Sequence, residues 1–248
     1  MALAEFKQVS KTFGSKKVLE NASLSIEKGE TLTIIGGSGI GKTVFLKLLL
    51  GLLKPDQGEI LFHNQNIGDM EEKDIIKMRS RIGMLFQSAA LFDSLSVAEN
   101  IAYPLREHFN YNEEEIETIV RKKLDLVGLQ DVENLMPAEL SGGMKKRVGL
   151  ARAIATDPDI ILYDEPTTGL DPANTRRICN LILELQQKLE VTSLVVTHDM
   201  ESAFRVTNRI ALISNHKFAF IGTKQEAQNS QDPLVKNFIN GNMETGES

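Results

Sequence analysis

The amino-acid sequence predicts a protein of the α/β class. One indication is the apolar run Thr31–Ile35, which leads through a glycine-rich loop into an apolar-rich stretch over residues 44–53. Another is the alternation of strand-like and helix-like patterns after residue 158, which is typical of parallel sheets with crossover helices. Between them, residues 88–157 carry mainly helical patterns, so we expect a helical block inserted into an α/β core.

Most elements before this block are predicted to be strands. Residues 5–13 and 18–26 have strand-like composition, with a turn at Gly14 between them. Two more short strands are predicted at 59–62 and 81–87.

Inside the helical block the sequence has helix signals, and after it both helices and strands are predicted. Ser96 and Glu99 form a capping box that opens a helix reaching to about residue 106. Asp171 as N-cap and Pro172 at the first helical position predict the start of a later helix. The remaining expected elements are helices at 113–127, at 142–155 and from Met200, and strands at 159–163, 192–197, 210–213 and 218–221.

The composition limits the possible functions. At 248 residues the chain suits one domain over 1–240 with a polar, disordered tail at 241–248. A net charge of −6 argues against a nucleic-acid surface, and the single cysteine, Cys179, excludes an intrachain disulfide. We expect no secretory signal and no membrane span, since the apolar stretch 45–53 is under half of the roughly 20 residues that a spanning helix needs.

The glycine-rich loop has the pattern GxxxxGK[ST] of a phosphate-binding loop. Its backbone N–H groups and the following helix N-terminus would bind phosphate oxygens, Lys42 would reach the β- and γ-phosphates, and the Thr43 hydroxyl would bind Mg²⁺. A plain glycine turn before a helix is the alternative. The predicted nucleotide-binding residues are Gly36, Gly37, Ser38, Gly39, Ile40, Gly41, Lys42 and Thr43.

Two acids, Asp164 and Glu165, follow the apolar run 160–163. Ligands of open α/β sheets bind at the carboxyl ends of strands. We therefore expect Asp164 to hold hydrated Mg²⁺ opposite Thr43, and Glu165 to accept a proton from the attacking water. Two solvated acids at a strand end are the alternative.

A second anion site is predicted at Ser141, Gly142 and Gly143. Ser141 can cap a helix, and the two glycines expose backbone N–H groups at its start. A capped helix start with no further role is the alternative. The next residues, Lys145, Lys146 and Arg147, are expected to form a solvated helix face.

Taken in order, these motifs resemble those of the nucleotide-binding domain of ATP-binding-cassette (ABC) proteins over nearly the whole chain. The resemblance implies a P-loop ATPase core with an antiparallel β subdomain and an inserted α-helical subdomain. It also implies roles for further residues: Phe13 stacks on adenine, Gln87 of the Q-loop touches metal and water, residues 169–171 form the D-loop, and His198 contacts the γ-phosphate.

Three positions depart from the family pattern. Phe13 replaces the usual tyrosine, Thr43 with Val44 replaces Ser-Thr, and Met144 replaces the glutamine of the LSGGQ signature, of which Ser141–Gly143 remain. The stacking ring, the metal-binding hydroxyl and the backbone donors are retained, so we expect an active ATPase. The resemblance further implies a homodimer in which the signature of one chain closes on ATP held by Lys42 of the other.

Residues 84–108 and Met144 are similar to the Mla type of ABC ATPase. This implies an MlaE-like permease, an MCE-domain protein and a small accessory subunit as partners, with phospholipid handled by those partners at the cytoplasmic face of the bacterial inner membrane. Ala89, Leu91 and Phe92 would suit a groove for the permease or belong to the core.

Two other functions stay open at this point. A nutrient importer ATPase, for amino acids for example, would share every catalytic motif, although such proteins commonly keep glutamine where this chain has Met144. A soluble ABC ATPase of DNA repair or translation usually has a long coiled coil or two cassettes, which this sequence lacks.

Overall fold

The structure, a computed structural model, describes residues 1–37 and 39–239. Contacts between Cα atoms divide it into a first unit, Met1–Ile75 together with the chain from Leu194 onward, and a second unit, Ile76–Ser193. The prediction of one nucleotide-binding domain over 1–240 stays a prediction. The polar tail predicted at 241–248 lies outside the described residues.

The elements up to residue 126 begin with strands and end with helices. In chain order they are β1 (Ala2–Phe13), β2 (Lys16–Glu27), β3 (Thr31–Ile35), α1 (Lys42–Leu49), β4 (Gln57–Phe62), β5 (Gln65–Asn66), a 3₁₀ turn (Ile67–Asp69), α2 (Glu72–Ser80), β6 (Ile82–Leu85), α3 (Val97–His108) and α4 (Glu113–Leu126).

From residue 137 onward helices and strands alternate. In chain order the elements are a 3₁₀ turn (Pro137–Glu139), α5 (Gly142–Ala153), β7 (Ile160–Asp164), α6 (Pro172–Leu189), β8 (Thr192–Thr197), α7 (Met200–Val206), β9 (Arg209–Ser214), β10 (Lys217–Thr223), α8 (Lys224–Asn229) and α9 (Pro233–Ile239).

The first unit contains an antiparallel sheet with the strand order β2-β1-β4-β5. Its inner face is apolar: Phe6 of β1 is opposite Leu24 of β2 and Ile60 of β4. Phe45 of α1 packs its ring against both Phe6 and Phe218, with centroid distances of 5.1 Å to each. The helix that follows the glycine loop is therefore anchored in the core by one aromatic side chain.

Strand β3, which precedes the glycine loop, pairs in parallel with β9 in the same unit. Strand β9 in turn pairs with β10 in antiparallel orientation. Every residue of β3 is buried, which is typical of parallel strands covered on both faces. The parallel pair confirms the predicted α/β class.

In the second unit β6 and β7 are parallel neighbours, in register from Ile82 opposite Ile160 to Leu85 opposite Tyr163. The predicted capping box at Ser96 is present: the Ser96 Oγ accepts from the Glu99 N–H, and Glu99 accepts from the Ser96 N–H. Gly149 brings α5 close to β6, since a Cβ there would lie 3.0 Å from the Leu85 Cδ1.

The sequence predictions missed three helices, α2, α8 and α9, and for the first two the physical reason is plain. Helix α2 buries Met78 and no other residue, and α8 buries Ala227 alone, so neither has the apolar stripe that predicts a helix. Among the helices of the described residues, none is both long and apolar enough to cross a lipid bilayer.

Candidate functional site

The glycine loop joins β3 to α1, as predicted. Gly41 caps α1 with a φ of 107°, and a Cβ at this position would lie 2.3 Å from the Val18 Cγ1. Both the left-handed backbone and the close approach require glycine. Ser38, also predicted to bind nucleotide, lies outside the described residues.

Lys42, the first residue of α1, holds its ammonium at the loop rather than in solvent. The side chain is buried, and its Nζ donates to the carbonyls of Gly36 and Gly37 at 2.9 Å each. Thr43, the next residue, lies in the first turn of α1 and is half-buried. A cation and a hydroxyl thus stand at a helix N-terminus, an arrangement suited to phosphate and its metal ion.

Phe13, the last residue of β1, leaves a large part of its ring accessible. The side chain is 44% exposed, and the Lys11 Nζ lies 5.5 Å from the ring centroid. An exposed aromatic ring can stack on a nucleotide base.

The predicted acids stand at the end of β7. Residues Ile160–Tyr163 are buried, whereas Asp164 and Glu165 are partly accessible. Glu165 has a φ of 47°, a left-handed conformation that costs a non-glycine residue about 1–3 kcal/mol. The Thr168 hydroxyl donates to the Glu165 Oε2 at 3.3 Å.

The residues after β6 form an irregular loop that includes the exposed Gln87. Ala89 and Ala90 have φ values of 62° and 47°, which are uncommon for alanine. The guanidinium of Arg152 donates to both of their carbonyls at 2.8 Å. Ala89 is buried, so of the two alternatives stated for this residue the core is the one that fits.

Lys146 contradicts the expectation of a solvated helix face. Its side chain is 4% exposed, and the Nζ donates to the Gln87 carbonyl at 2.5 Å and to the Glu165 carbonyl at 3.4 Å. Burial lowers the pKa of this ammonium, and the carboxylates of Asp164 and Glu165 act in the opposite direction. Arg147, which is half-buried, donates to the exposed Gly128 carbonyl at 2.7 Å.

The signature begins helix α5 as predicted. The Ser141 Oγ caps the helix by accepting from the Met144 N–H at 3.3 Å, Gly142 is exposed and Gly143 is buried. A Cβ on Gly143 would lie 2.7 Å from the Oδ1 of Asn174, a residue that the sequence predictions missed. No local pattern marks Asn174, because the contact joins two separate helices.

Asp171, in the predicted D-loop, caps α6. Its Oδ1 accepts from the N–H groups of Ala173 and Asn174, and its Oδ2 accepts from the Asn174 side chain at 2.5 Å. These bonds, led by the one from the Asn174 N–H, lower the pKa of the Asp171 carboxyl.

His198 follows the last residue of β8 and is exposed. The next residue, Asp199, caps α7 by accepting from the Glu201 N–H, and its own N–H donates to the Thr197 Oγ1 at 3.0 Å. The histidine is therefore held between a buried strand and a capped helix.

The predicted site residues are distributed over both units. Phe13, the glycine loop and His198 lie in the first, and Gln87, the signature, Asp164 and Glu165 lie in the second. Within the second unit, Gln87 and Glu165 are connected through Lys146.

The sequence model of the family described as ABC transporter matches residues 19–168, which include the glycine loop, Gln87, the signature and both acids. The chain belongs to the ABC transporter family. The P-loop ATPase fold predicted from the motifs is therefore confirmed, and this ABC ATPase binds and hydrolyses ATP. As a class, such ATPases dimerise and pair with a membrane permease.

Two relatives match the ABC ATPase over 96% of its length. The intermembrane phospholipid transport system ATP-binding protein MlaF of Haemophilus influenzae is 44% identical, over 90% of the relative. The probable ribonucleotide transport ATP-binding protein mkl of Mycobacterium leprae is 42% identical, over 68% of the relative. Neither name favours the amino-acid importer.

Among solved structures, this chain is similar to the ATP-binding cassette MJ0796. That structure is a dimer in a post-hydrolysis state bound to ADP and Pi. The identity is 32%, the match covers 89% of this chain and 98% of that one, and the TM-score is 0.81.

Proposed function

We propose that this ABC ATPase powers a transporter that moves phospholipid between the inner and outer membranes of a bacterium and so maintains lipid asymmetry. The similarity to MlaF carries the proposal, because it extends over 96% of this chain and 90% of that relative at 44% identity. Met144, where the sequence departs from the LSGGQ signature, is consistent with the same subfamily.

Within the ATPase, the roles that we propose for the site residues are those that the motifs and the family resemblance imply. The glycine loop and Lys42 hold the phosphates, and Phe13 stacks on adenine. Glu165 accepts the proton of the attacking water, assisted by Gln87 and by His198 at the γ-phosphate. The exposure of Phe13, Gln87 and His198 supports these roles, since each must reach a ligand.

We propose Thr43, Asp164 and Gln87 as the residues that hold Mg²⁺. Within the part of the chain that the structure describes, no group of three or more His, Cys, Asp or Glu side chains could hold a metal by itself. This composition fits Mg²⁺, which is usually bound through one or two carboxylates together with substrate phosphates and water. When bound, the ion would neutralise charge on the phosphates.

The signature residues Ser141, Gly142 and Gly143 are proposed to contact the ATP of the partner chain in a homodimer. Ser141 caps the start of α5, where the first N–H groups have no partner within the helix, and Gly142 is exposed beside it. A helix N-terminus of this kind binds anions. The dimeric state of the similar cassette MJ0796 supports this arrangement.

The proposed partners are an MlaE-like permease, an MCE-domain protein and a small accessory subunit, with the ATPase at the cytoplasmic face of the inner membrane. Phospholipid would contact only those partners, and no nucleic acid is involved. Phe92 and Tyr103 are each 43% exposed and pack together with a centroid distance of 4.9 Å. This aromatic pair offers the permease an apolar contact beside the Gln87 loop.

Affinity purification of the tagged chain from detergent-solubilised bacterial membranes tests the proposal. We expect a multi-span permease, an MCE-domain protein and phospholipid to copurify. A different permease with a soluble binding protein, or a ribonucleotide as the bound ligand, would overturn the phospholipid assignment. Recovery without any membrane protein would overturn the transporter assignment altogether.

A further inference from the structure

Lys146 lies at a place where two parallel strands have just ended. The register of β6 and β7 ends with Leu85 opposite Tyr163, and Gln87 and Glu165 each follow two residues later. The ammonium of Lys146 bonds to the carbonyls of these two residues. One buried cation thus connects the two chain segments just after the last paired residues of β6 and β7.

The backbone on both sides of this contact is strained. Glu165, Ala89 and Ala90 all have positive φ values of 47–62°. Such conformations persist only where the surroundings hold them. Lys146 and Arg152, six residues apart on α5, supply hydrogen bonds to this backbone from one helix.

The position of Lys146 on α5 adds a third functional element. Lys146 comes three residues after Gly143, about one helical turn, so it moves with the start of α5. The side chain of Lys146 therefore connects the helix that begins with the signature to the Q-loop glutamine and to the proposed general base.

We propose that Lys146 is a positioning residue for ATP hydrolysis, because its ammonium bridges the carbonyls of Gln87 and Glu165. Through this bridge, movements of α5 and of the Gln87 loop are transmitted to Glu165. The inference rests on the roles proposed above for Gln87 and Glu165. It assigns Lys146 no contact with ATP. Its loss should therefore reduce the catalytic step and leave nucleotide binding nearly unchanged.

The test compares K146M with K145M in the intact complex with its permease, where Lys145 is the half-buried neighbour on the same helix. Methionine keeps the length and volume of lysine and removes the N–H donors. We expect K146M to lower kcat by about tenfold or more, since small misplacements of catalytic groups have effects of up to about 10². The KM for ATP should stay within about twofold, and K145M should match the wild type.

Two further measurements separate positioning from a general loss of structure. K146R retains the charge and the donors, so it should recover at least half of the lost activity on a logarithmic scale. The thermal midpoint and the affinity for a fluorescent ATP analogue are measured for each variant. If K146M fails to assemble, K146Q replaces it, since glutamine is shorter than lysine and carries a neutral amide in place of the ammonium. K146Q must then show the same separation of kcat from KM.

Three results would overturn the inference: a kcat of K146M (or of K146Q in its place) within twofold of the wild type, an equal loss of kcat and ATP affinity, or no recovery in K146R. E165Q is assayed in parallel. Near-wild-type turnover of E165Q would instead remove Glu165 from its proposed role. The assays of the Lys146 variants and of E165Q measure ATP hydrolysis, so their results do not depend on whether the transported substrate is phospholipid.

Discussion

Asn174 of α6 stands so close to Gly143 of α5 that a Cβ on the glycine would lie 2.7 Å from the Asn174 Oδ1 and 2.9 Å from its Cγ. Asn174 is not free to move aside, because its side chain donates to the Asp171 Oδ2 and its N–H donates to the Asp171 Oδ1. The signature is therefore packed against the first turn of α6 within one unit.

G143A should accordingly destabilise the protein by about 1–3 kcal/mol, the usual cost of overpacking. The matched control is G142A, since a Cβ there would meet only the Leu170 Cδ2, at 3.9 Å. Urea unfolding measures both. In the double variant G143A/N174A the two effects should be less than additive, because alanine at 174 removes the clashing atoms. If the losses in free energy of unfolding of the two single variants added up strictly in the double variant, the clash with Asn174 would not be the cause.

G41A should lower the affinity for ATP by more than about tenfold, because the loop must change shape to accept a Cβ at a positive φ. Calorimetric titration with ATP provides the measurement. G29A is the control: Gly29 has a φ of 79°, but a Cβ there would meet nothing within 4 Å. An equal loss of affinity in both variants would mean that the contact with Val18 is unimportant.

F13A should raise the KM for ATP and leave kcat nearly unchanged, because stacking contributes to binding rather than to the chemical step. Base–aromatic stacking is worth about 1–3 kcal/mol, so the expected increase is about fivefold to 150-fold. F13Y keeps the ring and should behave as the wild type. A lower kcat at unchanged KM in F13A would exclude the stacking role.

E165Q should lower ATP turnover by about 10²–10⁴-fold, the range for loss of a general base, with ATP binding intact. Glutamine keeps the shape of the side chain and can no longer take the proton. E184Q, on the exposed face of α6, makes the same change away from the site and should retain full activity. Single-turnover assays with equal ATP occupancy separate chemistry from binding.

Y103A should reduce the amount of permease that copurifies with the chain, because it removes the packing partner of Phe92. Y111A is a closely matched control, since Tyr103 is 43% and Tyr111 is 42% exposed. Quantitative mass spectrometry of the purified complexes compares the two. Equal recovery of the permease would argue against docking at the Phe92–Tyr103 pair.

Local sequence patterns determined much of this protein. The phosphate loop between a strand and a helix, the cap at Ser141, the capping box at Ser96 and the cap at Asp171 were all predictable. The phosphate loop depends on the consecutive residues 36–43, and each cap depends on residues within about four positions of one another, because backbone conformation and helix capping are short-range effects. The family resemblance rests on the phosphate loop, the signature and the D-loop among these segments, and on the order in which Gln87, the two acids and His198 accompany them.

Only the tertiary structure decided which side chains of α5 face inward. Lys145, Lys146 and Arg147 have the composition of a solvated face, yet Lys146 is buried against carbonyls 59 and 19 residues away in sequence. Close packing of α5 on β6 at Gly149 brings those carbonyls within reach. Asn174 and Lys146 escaped prediction for the same reason: their surroundings are set by distant segments, and no local pattern encodes them.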